Sequence, residues 1–176
     1  MGKMEQSLPI LEPGNLLEVL KYPHPFLSKI CVTVSEVNDD IRLLIKNMFV
    51  TMYSSNGVGL SANQVGSIHR VFVMDTSESG SRRRAFVNPC ILSQSQEVRW
   101  KEGCLSFPGV FAFVKRFEKI KVAGLDENGE LYTIELEGLD AICFQHELDH
   151  LSGITFYDHL SQLQKNMIRK KMSKIK

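Results

Sequence analysis

Apolar positions change their period along this chain, and those changes mark out its elements. Ile41, Leu44, Ile45, Met48 and Met52 recur at helical spacing behind the capping types Asn38 and Asp39. The helix they predict should stop near Ser54-Ser55-Asn56-Gly57. The period then shortens. Arg70 to Met74 and Ala85 to Val87 are β-branched or aromatic runs, Ile120 and Val122 alternate with Lys119 and Lys121, and Tyr132, Ile134 and Leu136 alternate with Thr133 and Glu135. Asn128-Gly129 lies between the last two runs and reads as a hairpin turn. After Gly138 the helical period returns, over Leu139 to Leu151 and again over Leu160 to Met172, where Leu160, Leu163, Met167 and Ile168 form one expected apolar face. Tyr22-Pro23-His24-Pro25 reads as turn or extended chain, since each proline pushes its predecessor out of helix. Strands in the middle with helices at both ends predict an α+β fold, not an alternating parallel sheet.

Composition narrows the class. The chain has 176 residues, 43% hydrophobic and 23% charged, enough for a real core and short for two ordinary domains. We read one domain over 1–176, with 1–16 as a loose lead-in broken by Pro9, Pro13 and Gly14. Lys+Arg 21 against Asp+Glu 20 lacks the strong basic excess of a DNA-binding domain, so no DNA partner is expected. No apolar run approaches the ~20 residues of a membrane span, and the charged N-terminus does not read as a secretory signal. Gly2 would suit myristoylation, but Gln6 stands where a small hydroxyl residue is expected. The expectation is a cytoplasmic protein without a membrane partner. Of four cysteines, Cys31, Cys90 and Cys143 follow apolar or Asn-Pro neighbours and read as small buried hydrophobes. Cys104 differs.

The strongest chemical signal is His146-Glu147-Leu148-Asp149-His150. On a helix, positions i and i+4 share a face, so both imidazoles can reach one metal ion, with Glu147 free to act on a water beside it. The bland alternative is a helix with two histidines and an exposed acidic pair. A third ligand is not supplied downstream, where His159 is wrongly spaced for the related metalloproteases. Upstream, Lys101-Glu102-Gly103-Cys104-Leu105-Ser106 offers a thiolate, or else a structural thiol. Gly57-Val58-Gly59-Leu60-Ser61-Ala62-Asn63-Gln64 is a small-residue loop that lets backbone approach a substrate, and the Gln64 amide can meet a developing oxyanion. By itself it is a weak signal.

Together these three segments resemble one family, the peptide deformylases. The family patterns Gly-apolar-Gly-apolar-Ala-Ala-x-Gln, Glu-Gly-Cys-Leu-Ser and Gln-His-Glu-apolar-Asp-His stand here, in order, as Gly57 to Gln64, Glu102 to Ser106 and Gln145 to His150. The likeness runs from about Leu17 to the C-terminus. Ser61 replaces the usual first Ala, and Phe107-Pro108-Gly109-Val110-Phe111 lacks an arginine that some members carry.

The resemblance implies antiparallel strands around a central helix carrying the two histidines, with a further C-terminal helix. It implies that Cys104, His146 and His150 bind one divalent metal, Fe2+ in the family, with Zn2+, Ni2+ or Co2+ able to substitute. The activity implied is removal of the formyl group from the N-terminal formyl-methionine of newly synthesised polypeptides, releasing formate. Glu147 would move the proton, and the Gln64 amide and Leu105 backbone N–H would meet the oxyanion. Val58, Gly59, Gly103, Ile142 and Cys143 would contact the substrate, with Val58, Ile142 and Cys143 forming the methionine pocket. Glu102 and Arg116 are expected to pair, and Asp149 to orient a ligand histidine.

Two rivals stand beside this reading: an endopeptidase of the His-Glu-x-x-His type, and a non-catalytic module stabilised by metal. The first lacks its downstream ligand, and the second ordinarily needs four protein ligands. The basic tail, with Lys165, Arg169, Lys170, Lys171, Lys174 and Lys176, fits a docked helix with a solvated side better than ribosome contact, which is the sharper alternative.

Overall fold

The computed structural model describes residues 14–175, so the Gly2 reading, Lys176 and the first thirteen positions of the lead-in lie outside the described residues. Within that lead-in, the Asn15 backbone N–H donates to Asn47 Oδ1 at 2.8 Å. The first helix, α1, spans Asp39–Ser54, and Asn38 caps it by accepting from the Ile41 N–H. Short strands β1 (Gly59–Ser61) and β2 (Val71–Met74) follow, then the long β3 (Arg84–Cys104) and β4 (Phe107–Leu125), then β5 (Leu131–Glu137). All neighbours pair antiparallel in the order β1-β2-β3-β4-β5. Helix α2 (Gly138–Leu151) and helix α3 (Gln162–Met172) complete the chain.

Strand β2 lies between two helices, which is why all four of its residues are buried. Val71 and Val73 join Ile41, Ile45, Met48 and Met52 of α1 in one cluster. Phe72 and Met74 point the other way, into a cluster with Phe86, Ile120, Val122, Leu136 and Phe144. Alternation across the strand thus feeds two cores. Helix α2 touches all five strands and is the central helix that the resemblance implied.

Three sequence expectations need correction. The runs at Ala85–Val87 and Ile120–Val122 are parts of strands 21 and 19 residues long. Polar Ser93 to Glu97 hid that length, because this stretch meets solvent and has no apolar face to alternate. Cys31 and Cys143 are buried as expected, but Cys90 is exposed. On α3 only Ile168 and Met172 are buried, whereas Leu163 and Met167 are 71% and 65% exposed. The helix docks by its C-terminal half, and Leu160 belongs to the turn before it.

Candidate metal centre

The α2 register does most of the assembly. His146 and His150 are one turn apart, Glu147 follows His146, and Ile142 and Cys143 stand one turn earlier on the same side. One helical face therefore carries both metal-ligand chemistry and an apolar pocket wall.

The other contributors come from two turns. Cys104 ends β3, where Leu105 and Ser106 turn the chain into β4. Gln64 sits in a 3-10 turn, Ala62–Val65, capped by Ser61. The Ser61 N–H and Oγ both donate to Gln64 Oε1, at 3.0 and 2.8 Å. That fixes the amide so that Nε2 donates to Ser106 Oγ at 3.1 Å and faces Cys104 Sγ at 3.5 Å. The N-terminal segment ties the two turns together. The Leu20 N–H donates to the Gln64 carbonyl, the Tyr22 N–H to the Ser106 carbonyl, and Lys21 Nζ to the Leu105 carbonyl at 2.6 Å.

Cys104 Sγ lies 3.3 Å from His150 Nε2, which lies 3.2 Å from His146 Nε2. One ligand atom from each residue falls within 4.8 Å of the others. His146 Nδ1 is 2.8 Å from Glu102 Oε2. Assigned from that contact, Nδ1 carries a ring proton, and Nε2 is the nitrogen that faces the cluster. Glu102 is held in turn by Arg116, with Nε donating to Oε1 at 2.6 Å and Nη2 to Oε2 at 3.1 Å. Burial would raise the Glu102 pKa, but the hydrogen bonds with His146 and Arg116 overcome it and bring it down to about 2.

A cation fits this donor set. Burial alone would lower the His146 pKa, yet the hydrogen bonds with Cys104 and Glu102 hold it well above the ordinary imidazole value. Burial and the adjacent His146 push His150 well below it. Two imidazole nitrogens and a thiol sulfur, each within 4.8 Å of the others, form a donor set that one divalent ion can take. Glu147 is 3% exposed, its pKa is raised by burial to about 7, and its Oε2 has no hydrogen-bond partner. A buried carboxylate oxygen left unpaired beside this cluster is suited to a water held there.

A cleft of about 590 Å³ opens onto the cluster, and every residue expected to contact substrate lines it: Val58, Gly59, Gly103, Ile142 and Cys143. Ile142 and Cys143 are 2% and 6% exposed, whereas Val58, at 44%, forms the rim. Gly59 is required by crowding: a Cβ there would stand 2.5 Å from Glu147 Oε1. Leu105 also lines the cleft.

The expected Glu102–Arg116 pair is present. Asp149 bonds neither ligand histidine side chain. It accepts from Arg116 Nη1 at 2.6 Å and pairs with His159 Nε2 at 2.7 Å. The carboxylate that orients a ligand is Glu102, because it, and not Asp149, stands behind the His146 ring. Sequence reading also missed the support from Ser61, Ser106 and Lys21. The substitution of Ser61 for the usual Ala was the one available signal.

A family model described as polypeptide deformylase matches residues 16–166. A curated peptide deformylase of Neisseria meningitidis is 48% identical over 159 residues, covering 90% of this chain and 95% of its own. The crystal structure of a peptide deformylase from Legionella pneumophila superposes with a TM-score of 0.88 at 41% identity, over 91% of this chain and 95% of that one. A second, from Ehrlichia chaffeensis in complex with actinonin, gives 0.86 at 37% identity, over 90% and 96%. With the three motifs folded around one cluster and likeness running through nearly the whole chain, this protein belongs to the polypeptide deformylase family, metal-dependent hydrolases that remove the formyl group from the formyl-methionine of nascent polypeptides.

Proposed function

We propose that Cys104, His146 and His150 hold one divalent metal, ferrous iron in the cell, which zinc, nickel or cobalt can replace. The convergence of one thiol sulfur and two imidazole nitrogens beside an unpaired buried carboxylate carries this reading. A divalent ion held by these three residues would lower the pKa of a water and offset the charge that grows on the formyl oxygen. Glu147 takes the water's proton on its carboxylate and later delivers it to the leaving amine. The Gln64 Nε2 and the Leu105 N–H donate to the formyl oxygen as charge grows there. Ser61 holds the Gln64 Oε1, which keeps the Nε2 end turned toward Cys104, where one of its N–H hydrogens can turn from the sulfur to the formyl oxygen. Water adds to the formyl carbon, the C–N bond breaks, and formate and a free amine leave.

Ile142 and Cys143, with Val58 at the rim, take the methionine side chain, while Gly59 and Gly103 let the substrate backbone come close. The chain reads as one domain over 1–176 with 1–16 as its lead-in, acting in the cytoplasm with neither DNA nor membrane as partner. Among the described residues no helix is long and apolar enough to cross a membrane. Docking is the better account of the basic helix than ribosome contact. Lys171 Nζ donates to the Gly109 carbonyl, Arg169 Nη2 donates to Tyr157 Oη, and Lys165 Nζ lies over the Tyr157 ring.

Anaerobic purification with metal analysis, followed by deformylation of formyl-Met-Ala-Ser, tests this reading. One equivalent of iron and strong inhibition by actinonin are expected. Glu147→Ala should keep the metal and lose about a hundredfold or more in turnover. Metal lost with that substitution, or turnover retained, would remove Glu147 from the assigned role.

A further inference from the structure

The cleft continues past Cys104 onto an open surface. Of β3, only Arg84 to Val87 pair with β2, and of β4, only Lys119 to Leu125 pair with β5. The rest of the β3–β4 hairpin is a two-stranded ribbon. One of its faces is covered, with Val110, Ala112 and Val114 packed among Phe156, Tyr157 and Ile168. Across the other face the pairs are Gly103 with Phe111, Lys101 with Phe113, and Arg99 with Lys115, all exposed. Phe111 lies across Gly103, where a Cβ would come within 2.7 Å of its ring. Lys101 Nζ stands 5.6 Å from the centre of the same ring. Gly103, Lys101 and Phe111 also line the cleft, so strip and cleft are one surface.

Within the cleft the exposed charge has one sign. The acids lining the cleft, Glu102 and Glu147, are buried, while the exposed charged residues there are Lys21 and Lys101. Farther out, Arg99 and Lys115 follow, and Lys115 is paired with Glu97 at 2.9 Å. Gly103 and Arg99 are four positions apart on β3, about 13 Å at roughly 3.3 Å per residue, so about four extended residues of a bound chain would span the strip.

We propose that this aromatic and cationic strip, Gly103–Phe111 to Arg99–Lys115, binds the segment of nascent chain just behind its formyl-methionine and favours acidic segments over basic ones. The inference rests on the deformylase reading of the cleft. Phe111 and Phe113 give the chain an apolar floor, and Lys101 and Arg99 supply the charge. Each exposed pair with a substrate carboxylate is worth about a two- to fivefold change in affinity, and salt screens it.

The experiment uses the metal-loaded enzyme and three formylated octapeptides. All begin formyl-Met-Ala-Ser, and they continue with acidic, neutral or basic residues. The acidic peptide should exceed the basic one in kcat/KM by about fivefold to tenfold at low salt, through KM. The ratio should fall toward unity in ~0.5 M salt. In a Lys101→Gln, Arg99→Gln double variant the same ratio should drop below about twofold. Because it is a ratio within one protein, a general loss of activity does not imitate it. An equal or reversed ratio in the unaltered enzyme, or a ratio the double variant leaves unchanged, would overturn the proposal. So would binding of a single-stranded RNA oligonucleotide to the strip with no discrimination among peptides. The tripeptide formyl-Met-Ala-Ser separates the two levels: its failure to react would refute the deformylase reading, whereas its cleavage with a flat ratio refutes the strip alone.

Discussion

Replacing Gly59 by alanine probes the site through one added carbon. The Cβ would stand 2.5 Å from Glu147 Oε1 and 2.8 Å from Cys143 Sγ. Ordinary contact begins near 3.4 Å, so the carboxylate oxygen must retreat by about 0.9 Å. It has little room, since Glu147 is 3% exposed and rooted in the buried face of α2. A displacement near 1 Å at a reacting group costs about a hundredfold, so kcat for formyl-Met-Ala-Ser should fall by about that factor. Overpacking should also cost about 1–3 kcal/mol of stability. Gly129→Ala separates the two effects. Gly129 has φ +81° in the β4–β5 turn, and its added Cβ would only touch Val37 at 3.4 Å. Its cost is backbone strain, about 1–2 kcal/mol, without change at the metal cluster. The assay is kcat and KM beside thermal melting and metal content for both variants. A Gly59→Ala enzyme that keeps its metal and turns over within about threefold of the parent would refute the claim that Gly59 exists to admit Glu147.

Further predictions follow from the same contacts. Glu102→Ala leaves Arg116 buried with only Asp149 and frees the His146 ring, so it should cost about 3–5 kcal/mol of stability and weaken metal binding about 10- to 100-fold. Melting and metal titration read the two effects separately, and an unchanged metal affinity would contradict the orienting role. With Cys104 as ligand to iron, air should inactivate the iron form faster than a nickel-loaded form, and equal lifetimes would count against it. Formyl-Met peptides should exceed formyl-Gly peptides by about a hundredfold in kcat/KM through burial against Ile142 and Cys143, whereas formyl-norleucine should nearly match methionine. Equal rates for methionine and glycine would remove the pocket.

Local signals in the chain determined α1, its Asn38 cap, the Asn128-Gly129 turn and the helical placement of His146 and His150, because each depends on neighbours within a few residues. The three motifs likewise named the cluster, since the donor chemistry of Cys104 and two histidines is a property of residue type. The long ribbon was a different matter. Ser93 to Glu97 carry no alternation, and their pairing with Phe117 to Lys121 is settled by the partner strand, not by their own pattern. The face that α3 buries was equally open, because Leu163 and Met167 satisfy the helical period as well as Ile168 and Met172 do. Glu102 and Asp149 were both acids near a ligand in sequence, and only the folded chain put Glu102 behind His146 and turned Asp149 toward Arg116 and His159. Which side chain stands second to a metal ligand depends on how a strand end meets a helix, a long-range contact that residue spacing does not encode.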